Sequence, residues 1–270
     1  MLKLFRKNRF DLIEKNKIGN YLKYAIGEII LVVIGILIAI SIDNYNEELQ
    51  KQEVVRLYLE DFVDDLREDR ETMKSAVEVH NFRYHSLQYI LMQLGEDIYD
   101  PTTDEVLMPV YSPSEIWTEE IPLEYNKEFI GLALLWSHRS VSQNLNTSTI
   151  DELKSTGVFS YIDNHELKNA INGYYDYWSH RLGERNQIKF HDQIAEWEAS
   201  LGEDGLLTNM FFKLDDPLMA IKDHQKRIYL IKLLIREAAW IIAVGNGVID
   251  YADGLIDYIE NNSLKISEES

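Results

Sequence analysis

Three side chains in the stretch SHRLGERNQIKFHD have the types and spacing that metal ligation uses: His180, Glu184 and His191, four and then seven residues apart. On one continuous helix those intervals place two imidazoles and a carboxylate along one face, a donor set suited to a divalent metal. The same intervals also describe the solvated face of any acidic helical protein. The chain has no Glu-x-x-His pair of the kind that builds di-iron bundles. The three residues therefore stand as candidates only, and the sequence assigns no metal and no cofactor. His80 and His85, five apart, share a helix face poorly.

Other chemistry is thinner still. The sequence has no Gly-x-Ser-x-Gly elbow, no phosphate-binding Walker loop, no His-Glu-x-x-His and no Gly-x-Gly-x-x-Gly. The adjacent carboxylates Asp64-Asp65, Glu119-Glu120 and Asp215-Asp216 point to different faces of a helix, so they read as solvated charge rather than an acid–base pair. Tyr174, Tyr175, Tyr177 and Trp178 could line a pocket, but aromatics at helical spacing more often form core. The Gly-Asn-Gly of residues 245–247 falls inside a helical pattern and so reads as a place of close helix packing. With no cysteine, thiol catalysis, disulfides and cysteine-ligated zinc are excluded.

The elements that would position such groups begin with an anchor. From Tyr24 to Ile42 only Glu28 is ionisable, and nineteen residues of helix span roughly 28 Å, the thickness of a bilayer's hydrocarbon core. Residues 1–23 carry seven Lys/Arg against two acids, a net +5, whereas residues 43–270 carry twenty against forty-three, a net −23. The positive-inside rule then predicts a cytoplasmic N-terminus and an acidic body outside, which in a bacterium with two membranes means inner membrane and periplasm. The leader mixes cations with Leu2, Leu4, Phe5, Phe10, Leu12 and Ile13, as in a short helix lying on an anionic leaflet; a plain basic tail is the other reading. An acidic body repels nucleic acid, so none is expected as a partner. The second apolar stretch, Ile228 to Val248, contains Lys232, Arg236 and Glu237 and reads as a soluble core helix, because each central charge costs roughly 2.5–3.5 kcal/mol on insertion.

Beyond the anchor, Val55, Leu59, Phe62, Leu66, Met73 and Ala76 repeat at 4–3 spacing, with Asp69 on the same seam. At His80 the register slips by one, and the seam resumes at Tyr84, Leu87, Leu91 and Leu94. Gly95 ends that helix, and its partner is either internal or a second copy of the chain. Residues 96–124, with four prolines, form a surface connection. Helix resumes near Glu124–Ser140. Capping boxes at Thr149/Glu152 and Asp163/Glu166 start two more helices, the second reaching Leu201. A last helix starts at Asp216-Pro217 and runs to Tyr258. The expectation is an all-α chain: leader 1–23, transmembrane helix 24–42, stalk helix 43–95, connection 96–123, antiparallel helical bundle 124–262 and a polar tail 263–270.

The run KYAIGEIILVVIGILIAISIDNYNEE, with Lys23, Tyr24, Gly27, Glu28, Ile29, Gly35 and Ala39 among its marks, resembles the start of a family of uncharacterised single-pass proteins abundant in Bacteroidota. Tyr45 stands where that family more usually has tryptophan. The later STGVFSYIDNHELKNAINGYY also resembles a segment of that family. The resemblance implies an inner-membrane protein with a helical periplasmic part and supplies no activity. Gly35 and Ala39 form a small-x-x-x-small pair, with Gly27 two turns earlier, which allows close approach of a second helix. Glu28 sits about four residues, or roughly 6 Å, inside the cytoplasmic edge. It either sets helix depth at the headgroups or makes a polar contact between anchors. The functional expectation is a non-enzymatic membrane-anchored module that oligomerises or docks another envelope protein. A single-pass sensor of a small molecule and an enzyme of unfamiliar type are the alternatives.

Overall fold

A computed structural model describes residues 18–102, 107–139 and 141–262. The expected interfacial helix of the basic leader and the polar tail at 263–270 lie outside the described residues. The chain is all-α, with no strand among the described residues. Its helices are α1 (Ile18–Gln93), α2 (Lys127–Trp136), α3 (Ser148–Ser155), α4 (His165–Leu182), α5 (Glu184–Gly202) and α6 (Gln225–Asn262), joined in part by short 3-10 turns. The chain divides into two units, residues 1–55 and 56–270.

In the first unit α1 carries an apolar window of which no residue is buried: Ile29 is 63 % exposed and Leu31 67 %. In the second unit the same helix is a core element. Leu59, Phe62, Leu66, Asp69, Met73, Ala76, His80, Arg83, Leu87 and Ile90 are all buried, and their spacing alternates three and four without interruption. The expected slip at His80 is therefore absent: His80 and Arg83 occupy seam positions that a search for apolar residues passes over. From Val79 to Leu91 every residue but His85 is buried, so this stretch has neighbours on all sides. The partners of the seam are internal to the chain. Phe62 meets Tyr175 of α4 at 6.3 Å between ring centroids. Arg67 pairs with Glu260 at 2.6 Å and Arg70 with Asp253 at 2.9 Å, both on α6.

Helix ends follow local chemistry. At the end of α1 Gly95 takes φ 78°; Glu96 N–H donates to Leu91 O at 2.9 Å and Gly95 N–H to Met92 O at 3.0 Å. That is the left-handed glycine cap in which two orphan carbonyls are satisfied. The start of α4 is set by Asn164, whose side chain accepts from Leu167 N–H, rather than by the Asp163/Glu166 box. At α3 the expected box does not form: Thr147 precedes the helix without a side-chain bond, and a carboxylate of α1, Asp65, accepts from Thr149 N–H at 3.2 Å instead. Asp216 caps Leu218 N–H, but only one 3-10 turn follows, and α6 starts afresh at Gln225.

The helix expected to reach Leu201 breaks at Gly183, where the backbone is extended. A Cβ there would overlap the Ser179 carbonyl, so the break demands glycine. The carbonyls it frees are satisfied from α5 and α6: Asn186 Nδ2 donates to His180 O (3.0 Å) and Arg181 O (2.9 Å), and Trp240 Nε1 to Arg181 O (3.3 Å).

The glycines of α6 mark close contacts, as expected of Gly-Asn-Gly. A Cβ at Gly245 would lie 2.7 Å from Val77 Cγ2, and one at Gly247 would overlap the Tyr177 hydroxyl. Gly254, on the same helix, has no atom within 4 Å of that position. The two sites should respond in opposite directions to alanine. Gly254→Ala should raise stability by about 0.5–1 kcal/mol through helix propensity. Gly247→Ala should lose about 1–3 kcal/mol to overpacking, net of the same gain. Urea titration of both variants checks this, and equal stabilisation would mean that the Tyr177–Gly247 contact is not tight.

Candidate functional site

In the first unit, α1 contains an 18-residue window of mean hydropathy 2.8, none of which is buried. By length and composition it is the one helix among the described residues able to cross a membrane. The apolar stretch of α6 is different in kind, since Ile228, Leu230, Ile231, Leu234, Ile235, Ile241 and Val244 are all buried in the body. Within the span, Gly27 and Gly35 are open, with nothing inside 4 Å of a Cβ built on either. Ala39 is exposed, and Glu28 is half-buried.

The candidate metal ligands are not brought together. The break at Gly183 places His180 on α4 and Glu184 and His191 on α5, so the single face that the spacing required does not exist. His180 Nδ1 lies 2.7 Å from Asp176 O of its own helix, and all three residues are exposed. Among the described residues no group of three or more His, Asp or Glu could hold a metal ion.

The body's polar chemistry gathers instead around α1. Asp69, 1 % exposed, accepts from Asn146 N–H at 2.6 Å and from the Tyr174 hydroxyl at 2.9 Å. One turn earlier Asp65 accepts from Asn146 Nδ2 at 2.9 Å, and Tyr175 Oη donates to Asn146 O at 3.1 Å. Trp178 Nε1 reaches Gln143 O at 2.7 Å. Of the aromatic run of α4 only Tyr174 is fully buried, and the half-buried Tyr175 and Trp178 use their polar tips to hold the segment between α2 and α3. Asp65 and Asp216, expected to be solvated, both work as acceptors for backbone N–H groups.

A second cluster centres on Arg83, fully buried. Its guanidinium donates to Trp136 O at 3.3 Å, to Arg139 O and to His80 Nδ1 at 3.2 Å, and lies 5.3 Å from the Phe190 ring centroid. Arginine has only donors, so His80 Nδ1 must accept and its proton resides on Nε2. Burial, then the nearby Arg83 charge, hold the His80 pKa well below the ordinary value. The orphan carbonyl of Trp136 at the end of α2 and the Arg139 carbonyl three residues beyond it are thus satisfied by one side chain. Sequence reasoning passed over His80 and Arg83 as partners. The available signal was that both fall on the unbroken 3–4 spacing.

Burial pushes the Asp69 carboxyl up to about 6; its two hydrogen bonds oppose the rise, and the Asp65 and Glu68 charges add to it. The ordinary value is about 4, so the folded state holds this proton more tightly than the unfolded chain does. The resulting stabilisation is complete below about pH 4 and is lost as pH rises through about 6. In Asp69→Asn the amide oxygen still accepts from Asn146 N–H while its nitrogen donates to Tyr174 Oη. We expect that variant to gain about 1–3 kcal/mol over wild type at neutral pH and to converge with it below about pH 4. Asp69→Ala, which strands both partners, should lose about 1–3 kcal/mol throughout. Denaturant titrations across this range check the pair; a pH-independent difference between Asn variant and wild type would refute the assignment.

Residues 28–97 match a family described as a family of unknown function (DUF6090). No curated protein and no solved structure matches the chain. The matched residues take in the apolar span from Glu28 onward, the rest of α1 and the glycine cap that ends it.

Proposed function

We propose that this chain is a membrane-anchored, non-enzymatic helical module whose body is held at a bilayer by one span and whose spans associate with one another. The observation that carries the reading is the fully exposed apolar window of α1. A run of Ile, Leu and Val open on every face is costly in water and favourable in hydrocarbon. The seven cations of residues 1–23 and the net −23 of residues 43–270 support a cytoplasmic N-terminus and a body on the far side, in a bacterium the periplasmic face of the inner membrane. The family resemblance of the anchor supports the same placement.

Association through the span is supported by the spacing of Gly27, Gly35 and Ala39 and by the open space at the two glycines, which lets a second helix approach its backbone. Glu28, next to Gly27 in sequence and about 100° around the helix from it, lies near enough to the membrane edge to make a polar contact there.

Expressed at full length in bacteria, the chain should pellet with membranes and resist alkaline carbonate extraction, and deletion of residues 24–42 should release it. Recovery of the full chain in the carbonate supernatant would overturn the anchor. Cross-linking in detergent should give an oligomer that Gly35→Leu weakens about tenfold, the scale of one close helix contact. An exclusively monomeric wild-type chain would remove the association and leave the anchor standing.

A further inference from the structure

A cleft of about 320 Å³ opens in the body between α5 and α6, lined by Asn186, Lys189 and Gln193 on one side and Arg236, Glu237 and Trp240 on the other. Pro101, from the connection after α1, closes one edge. That volume is at the small end of ligand sites, suited to a single metabolite rather than a nucleotide or a peptide.

Its charged groups are complementary in sign. Lys189 and Arg236 have no carboxylate within 4.0 Å among the described residues, and Glu237 has no cation within that distance. Yet Arg236, Arg83 and Lys189 all act on the Glu237 carboxylate electrostatically, while burial pushes its pKa up. Gln193 Oε1 is buried and has no donor. Asn186 is already committed to carbonyls of α4, and the Trp240 indole is held by its bond to Arg181 O. The cleft thus offers two exposed cations with no carboxylate close by, a half-buried carboxylate with no cation close by, and a fixed aromatic wall, while the Gln193 oxygen is closed off from it. Three cations around one carboxylate, in a body of net −23, also make this a local place where an anionic group is attracted.

The geometry points to a binding site for a small zwitterion of the α-amino-acid class, its carboxylate on Lys189 and Arg236 and its ammonium on Glu237. A half-buried carboxylate gains from a charged donor, and an ammonium group supplies one. A simple anion would meet the cations and leave that carboxylate without a donor, and a simple amine would do the reverse. The site is independent of the membrane reading and stands or falls without it.

The test is thermal unfolding of the full chain in detergent with the common L-α-amino acids supplied singly at millimolar concentration, and with acetate and methylammonium as the half-ligands. At least one amino acid should raise Tm saturably, by about 5–10 °C at a hundredfold excess over Kd, with little effect of either half-ligand. Lys189→Ala and Arg236→Ala remove exposed side chains and should keep the wild-type Tm without ligand while abolishing the shift. The exposed Lys222→Ala, away from the cleft, should keep it. The proposal is overturned if no amino acid shifts Tm, if acetate alone matches the best amino acid, or if the shift survives in both cleft variants.

Discussion

The body depends on one constraint: the backbone of the non-helical segments must be hydrogen-bonded, and the side chains of α1 do that. Asn81 Nδ2 donates to Val110 O at 2.7 Å while its Oδ1 accepts from Ser112 N–H at 3.0 Å. Gln88 repeats the pattern with Tyr99, accepting from its N–H at 3.1 Å and donating to its carbonyl. In both cases a side-chain amide replaces the neighbouring strand that the loop lacks. Tyr89 donates to Glu124 O at 2.7 Å and accepts from Asn126 N–H at 2.8 Å. Asp65, Asp69 and Arg83 do the same for the segment from Trp136 to Thr149. Since an unpaired buried backbone group costs about as much as a lost hydrogen bond, the two long connections stay folded down because this helix carries amides, acids and a cation where they are needed.

That constraint explains why the core helix is so polar. A seam made only of Leu and Ile would pack against α4 and α6 but would leave the connections with no partners. Asp69 and Arg83 accept a desolvation penalty, visible in the raised Asp69 and lowered Arg83 pKa values, and in return fix which loop atom lies against which turn, while His80 accepts from Arg83. Burial of a charge is tolerated only when hydrogen bonds surround it, and Arg83, with three acceptors and a ring face, meets that condition. Arg227 plays the same part elsewhere: it is 1 % exposed and ties Ser200 and Asp204, at the end of α5, to Ala220 just before α6.

The sequence was legible where a single periodicity or residue type decides the outcome. The apolar span, the glycine ending α1, the tight Gly-Asn-Gly packing and the all-α class all follow from local rules. It was misleading where a distant group overrides a local one. The cap at Thr149 is supplied by Asp65, 84 residues away, and no local motif encodes it. At Gly183 the helical composition continues on both sides, so only the close approach of the Ser179 carbonyl reveals the break, and with it the dispersal of His180 from Glu184 and His191. The cleft between α5 and α6 was invisible for the same reason. Lys189 and Glu237 are 48 positions apart, and nothing in either stretch distinguishes them from solvated charge.

The reach of the family match sharpens this. Residues 28–97 contain Asp65, Asp69, Asn81, Arg83, Gln88 and Tyr89, the α1 side chains that hold both connections, with Tyr175 and Trp178 of α4 adding to the second. The matched segment is therefore most of the apolar span together with the polar helix on which the remaining backbone is arranged. What lies outside it, α2 to α6, supplies the apolar partners of that helix and the walls of the cleft. A chain built this way can vary its outer helices while keeping its apolar span and its spine, because any replacement needs only to bury the same face and offer backbone atoms to the same amides and charges. The charges that line the cleft likewise lie on the outer helices, beyond the matched segment.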